Sequence, residues 1–178
     1  MSRILFAVAA AALLVGAAPY QNSPRALVQS LYAWSRHHDF TTDTVGLRPY
    51  FTPTFYNDLV KLLRVGRCTR TAEIDADIFS GTQVGTYGFR VGTAVVNGGS
   101  ATVPVTVSAG LTRDRAQNVA VKVIAVRADG MWRVADIMTQ APHGYQGWLH
   151  QMQFNVRGLS GWSKRWTPAQ RRCIAGTP

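Results

Sequence analysis

Residues 117–139 read QNVAVKVIAVRADGMWRVADIMT, and they decide the fold. Two runs with apolar residues at alternate positions flank Asp129-Gly130, a dipeptide that suits a two-residue type I′ hairpin turn. The runs Val119–Val126 and Met131–Met138 are therefore antiparallel neighbours with one apolar face each. Upstream, Tyr87, Phe89 and Val91 also alternate. After the turn signal Asn97-Gly98-Gly99, so do Ala101, Val103, Val105 and Val107. Pro104 has no N–H to give to a ladder, which predicts an edge strand or a bulge there.

The first half of the chain has a helical period instead. Ser23-Pro24 is a cap followed by proline at the first helical position, and Leu27, Val28, Leu31 and Trp34 follow on one face. This helix is expected to run to about His38. Thr52-Pro53 repeats the signal ahead of Phe55, Leu59, Leu62 and Leu63, with a helix ending near Arg64 and a short helical turn before it around Gly46–Phe51. A basic loop carrying Cys68 is expected over Gly66–Thr71. Helices followed by a run of antiparallel strands make an α+β domain. Residues 18–140 form that domain, and 141–178 form a basic, aromatic tail in which Thr167-Pro168 caps a last short helix.

Four stretches carry a family resemblance. They are Leu31-Tyr32-Ala33-Trp34, the helix Phe55–Leu63, Asp75-Ala76-Asp77-Ile78-Phe79, and the closing Asp129–Ile137. On these, residues 24–139 resemble an exported bacterial family, domain of unknown function 3828. The resemblance implies a cystatin-like, nuclear-transport-factor-2-like fold: a curved antiparallel sheet packed on an N-terminal helix. Relatives that are lipoproteins carry a lipidated cysteine, which this chain lacks. A Gly-x-Trp-[Arg/Lys]-Val closing strand occurs in enzymes and in binding modules alike, so the fold does not choose a function.

The start of the chain reads as an export signal. Arg3 is followed by the apolar run Ile4–Gly16, which is short for a bilayer span, and Val15-Gly16-Ala17 places small residues for cleavage after Ala17. An uncleaved anchor is the alternative. Signal residues 1–17 would direct the chain to the periplasm or beyond, which excludes nucleic acid as a partner. Two cysteines, Cys68 and Cys173, most simply form one disulfide in that compartment, with two free thiols as the alternative. The formal charge is +10. An exported cation of this kind can meet an anionic envelope surface or an acidic partner, or simply present a solvated arginine-rich surface.

Hydrolase, metalloprotease, phosphate-loop and dinucleotide motifs are absent from the sequence, so neither a cofactor nor a metal is expected. Adjacent His37 and His38 point about 100° apart on a helix and do not chelate one ion readily. His143 and His150 are separated by two glycines. Asp75 and Asp77 offer too few oxygens for calcium and are read as capping groups that pair with the Arg64–Arg70 segment.

Asp136 is the one acid that strict alternation puts in an apolar row, beside Trp132 and Val134. Burial there would raise its pKa and suit it to general-base work or to holding a cationic group. The competing role is a cap or an arginine pair at a strand end. Trp34, Tyr87, Phe89, Trp132 and Asp136 are the expected lining of a pocket between the first helix and the sheet. Three functions follow from this reading. The first is an exported non-catalytic module binding an unknown small molecule or protein. The second is an isomerase- or cyclase-type enzyme using Asp136. The third is a periplasmic immunity or inhibitor protein binding an acidic protein partner. Monomer and homodimer both remain open.

Overall fold

The computed structural model describes residues 22–71, 74–141 and 143–176. The signal-peptide expectation and Glu73 fall outside them. Three helices come first: α1 (Pro24–Ser35), α2 (Thr44–Leu47) and α3 (Pro53–Thr69). Six strands follow: β1 (Gly85–Val91), β2 (Val95–Asn97), β3 (Ser100–Gly110), β4 (Gln117–Ala128), β5 (Met131–Ala141) and β6 (Gly144–Gly147). The chain ends with α4 (Trp148–Trp162) and α5 (Pro168–Ala175).

The cap signals act where the sequence places them. The Ser23 hydroxyl accepts from the Ala26 N–H at 3.1 Å, and Thr52 accepts from the Phe55 N–H at 3.4 Å. Thr167 and Gln170 form a reciprocal capping box at α5. Two helix ends differ from expectation. α1 stops at Ser35, before His37 and His38. α3 runs five residues past Arg64 and ends where Arg70 turns left-handed, so Cys68 lies in its last turns and not in a loop. Gly66 weakens a helix, but Val65 beside it is wholly buried and Cys68 is anchored, which offsets the loss.

The strands form one antiparallel sheet in the order β1-β3-β4-β5-β6, with the short β2 continuing beside β3. Its hairpin turns at Asp129-Gly130, both at positive φ as the type I′ turn requires. β3 is central, contrary to the edge position expected from Pro104. Gly92 N–H donates to the Pro104 carbonyl at 2.8 Å, so the Pro104 nitrogen also faces the 92–94 interruption between β1 and β2, where no strand needs its missing N–H. The outer edge of β5 is covered twice, by β6 along Met138–Ala141 and by Tyr50–Thr52 bonding to Val134.

α1, α3 and α4 share the inner side of this sheet. Leu27, Leu31 and Tyr32 of α1 and Phe55, Leu59 and Leu62 of α3 share one buried core with Val103, Val105, Val123 and Ile137 of the sheet. This is the curved-sheet α+β arrangement expected from the hairpin outward, cystatin-like in layout. α4 belongs to the same core. β5 continues to Ala141, β6 extends the sheet, and α4 lies along α3 and β5 with Trp148, Met152 and Leu159 buried. The Cys68–Cys173 disulfide is formed, with Cα atoms 5.8 Å apart, and it ties α5 to α3.

Candidate functional site

Two one-residue bulges redistribute the expected pocket residues. On β5, Asp136 pairs with Ile124 and Val134 with Ala125, leaving Ala135 extra. The buried row therefore runs Trp132, Val134, Ile137, and Asp136 leaves it. Strict alternation misplaced this carboxylate by one residue. On β1, Tyr87 is the extra residue between Thr86 and Gly88. Its hydroxyl donates to the Leu111 carbonyl at 3.1 Å.

The remaining expected lining residues also go to separate places. Trp34 stacks on His38 at 4.8 Å, and His38 pairs with Asp43 at 2.8 Å. Phe89 packs on the buried Tyr32 ring at 5.6 Å. Trp132 is buried under Arg127 at the hairpin. The space between α1 and the sheet is filled by fully buried side chains: Leu27, Leu31, Val103, Val105 and Val123. Tyr32 reaches through it to donate to the Phe79 carbonyl at 2.8 Å. Burial, with the Asp77 charge nearby, holds this phenol well above its ordinary pKa.

Asp136 has a specific structural job. Its Oδ1 accepts from the Ile137 N–H at 2.8 Å and from the Leu149 N–H at 2.9 Å, so it caps the start of α4 from another strand. Residue 147, the α4 N-cap, is glycine because a Cβ there would collide with this carboxylate. Burial raises the Asp136 pKa, opposed by the backbone N–H groups it accepts from and by His150. The direction matches the sequence expectation, although the surroundings are a helix start and not an aromatic row. Asp77 is likewise a turn acid. It accepts from the Phe79 N–H and from the hydroxyls of Ser80 and Thr86. Its bonds hold the 77–82 turn and do not reach the Arg64–Arg70 segment. No group of His, Cys, Asp or Glu suited to a metal occurs among the described residues.

Several clefts open at the surface, one at the end of α1 and one at the start of α4 among them, and two flank α3. One cleft of about 510 Å³ opens where the α2–α3 segment meets the β4–β5 hairpin. Phe51 and Tyr56 form its apolar floor, and Arg48, Arg133 and Asp129 its rim. The Arg133 guanidinium donates to the Pro49 carbonyl, which sets one wall. A second cleft, about 330 Å³, lies between α3 and α5 and is lined by Asn57, Val60, Lys61, Arg64 and Ile174. Asn57 belongs to both.

The helices around these clefts are cationic. Lys61, Arg64 and Arg67 project from α3, Arg70 stands at its C-cap, and Arg157, Lys164, Arg165, Arg171 and Arg172 project from the chain beyond; all are exposed. No Asp or Glu follows Asp136 anywhere in the sequence. Sequence reading noted the basic tail but missed α4. The spacing Trp148, Leu149, Met152, Val156, Leu159 carries that signal, and Gly147 just before it obscured the helix start.

No protein-family model matches the chain, and no curated protein is significantly similar to it. Among solved structures, the chain is similar to a chain in the crystal structure of the type VI native effector–immunity complex Tae3–Tai3 from Ralstonia pickettii. The two are 24% identical with a TM-score of 0.50, and the likeness covers 68% of this chain and 98% of that one. It establishes a shared α+β fold with a curved antiparallel sheet on helices.

Proposed function

We propose that this chain is an exported, non-catalytic protein-binding module of the immunity or inhibitor kind. The observation that carries the reading is the contrast between a filled interior and a cationic helical exterior with surface clefts. That arrangement suits recognition of a macromolecule across a surface more than enclosure of a small molecule. Asp136, the acid that an enzyme of this fold would use, is engaged with the backbone at the start of α4. Both cysteines are joined to each other, and a disulfide persists in an oxidising compartment outside the cytoplasm. The structurally similar chain comes from an effector–immunity complex, and nearly its whole length is matched. This supports an immunity role in the periplasm, with an acidic protein as the partner.

The test is a survival experiment. The gene is deleted in the producing bacterium, and the deletion strain is grown in contact with its parent. Loss of survival that is restored by the exported chain is expected. Equal survival with and without the chain overturns the reading.

A further inference from the structure

The two clefts meet along one helix, and their chemistry is the same. Tyr56 and Asn57 line the first, and Asn57, Val60, Lys61 and Arg64 line the second, so successive turns of α3 form the floor of both. From Pro53 to Arg64 this outer side is about 17 Å long at 1.5 Å per residue. That length matches about five residues of extended chain. Cations stand at both ends: Arg48 and Arg133 at the hairpin, Lys61 and Arg64 at α5. Asp129 at the hairpin end is the acid among the lining residues of the two clefts. Arg133 and Arg64 are each held by a backbone carbonyl, Pro49 for the first and Ile174 at 3.4 Å for the second. A guanidinium has five N–H donors, so these bonds orient the groups without exhausting them. Between the cations lie apolar surfaces, Phe51 and Tyr56 in one cleft and Val60 with Ile174 in the other. Val45 stands 76% exposed at the rim.

We infer that the outer side of α3 is the seat for an extended acidic segment of the protein partner, with at least one apolar side chain between its carboxylates. This rests on the protein-binding reading above and names the surface and the chemistry it takes. The segment's carboxylates meet Arg48 and Arg133 at one end and Lys61 at the other, and its apolar side chain enters over Phe51 and Tyr56. A lipid surface fits less well, because apart from the exposed Val45 the apolar groups lie between cations and do not form a protruding membrane-inserting face.

The probe is a labelled acidic pentapeptide with one central leucine, titrated onto the whole disulfide-bonded chain. Saturable binding is expected, with amide shifts at Val45, Asn57 and Lys61. Arg48→Glu with Lys61→Glu should weaken it by about ten-fold or more, and added salt should weaken it further. Arg90→Glu with Arg113→Glu makes the same charge change on β1 and beyond β3, and should leave binding within about two-fold. Equal loss in the two double variants would show bulk charge attraction and overturn the inference. So would absent binding, or shifts centred on α5 or β1. Stronger capture by phosphatidylglycerol vesicles, lost in the Arg48/Lys61 variant alone, would reassign the surface to lipid. The survival experiment separates the two readings. Protection that persists in the Arg48/Lys61 variant sinks this seat and leaves the immunity role standing. A seated peptide with no protection does the reverse.

Discussion

The two long sides of α3 are held in opposite ways. Its inner side, Phe55, Leu59, Leu62 and Leu63, is buried in the core, where α3 lies along α4 and β5. Its outer side, Asn57, Val60, Lys61 and Arg64, borders the cleft with α5, where the Cys68–Cys173 bond and the Arg64 hydrogen bond to the Ile174 carbonyl join the two helices. Apolar area removed from water stabilises the first side continuously and without direction. A single covalent tie and a charged hydrogen bond hold the second, leaving concave, cationic surface beside them. The two faces of one helix are thus held by different kinds of interaction.

The largest expected effect tests the inner side. Phe55 is fully buried and stacked on Phe51 at 4.5 Å. Phe55→Ala should cost about 3–5 kcal/mol, since it loses transfer free energy and leaves a cavity. Urea unfolding measures this, and a cost near zero would mean the inner side does not carry the fold. The outer side is tested by removing its tie. Closing a loop of 105 residues is worth about 4–5 kcal/mol in the chain-entropy model. Cys68→Ser with Cys173→Ser should therefore lower global stability by up to about that amount. Hydrogen exchange should quicken first in α5 while α1 and β3–β5 stay protected. Uniform loss of protection would erase the distinction between the two sides.

The same division explains what the sequence made legible. The Asp129-Gly130 turn, the three cap-plus-proline helix starts and the alternation of Val103, Val105 and Val107 are local signals, and the fold follows them. The candidate pocket depended on something non-local. Whether Asp136 shares a face with Trp132 is decided by the pairing of β5 with β4, and Ala135 is inserted there without any residue type that marks a bulge. Tyr87 on β1 is the same case. The furrow along α3 was invisible for another reason. Its α5 end exists because α3 continues through Gly66 to Thr69 and carries Cys68 to where α5 docks, whereas Gly66 alone suggests a helix end. The cysteines announced the tie, but not that its two ends are helices.

A smaller effect sharpens the comparison at the start of α4, which stands between the two sides. Gly147→Ala should push the Asp136 carboxylate off the Leu149 N–H. Asp136→Ala removes the same cap directly, at about 1–2 kcal/mol. If both variants match wild type in thermal unfolding, Asp136 is not holding α4.

The smallest effect is a pH dependence, and its sign follows from burial. The folded-state pKa of Asp136 is raised, chiefly by desolvation, so between the ordinary carboxylate range and that raised value the folded protein binds more protons than the unfolded chain. Stability then falls as pH rises through that window, and rises as pH is lowered through it. The penalty on the charged form is complete above the window. Asp136→Asn keeps an oxygen that can accept from Ile137 and Leu149 but does not titrate. The stability of wild type relative to Asp136→Asn should therefore increase on acidification from neutral pH into the carboxylate range, and stay flat above it. An opposite slope would mean that the two backbone N–H bonds and His150 outweigh burial. The carboxylate would then be a net electrostatic anchor for α4, and the start of that helix would be held by charge as the outer side of α3 is, instead of by burial as the inner side is.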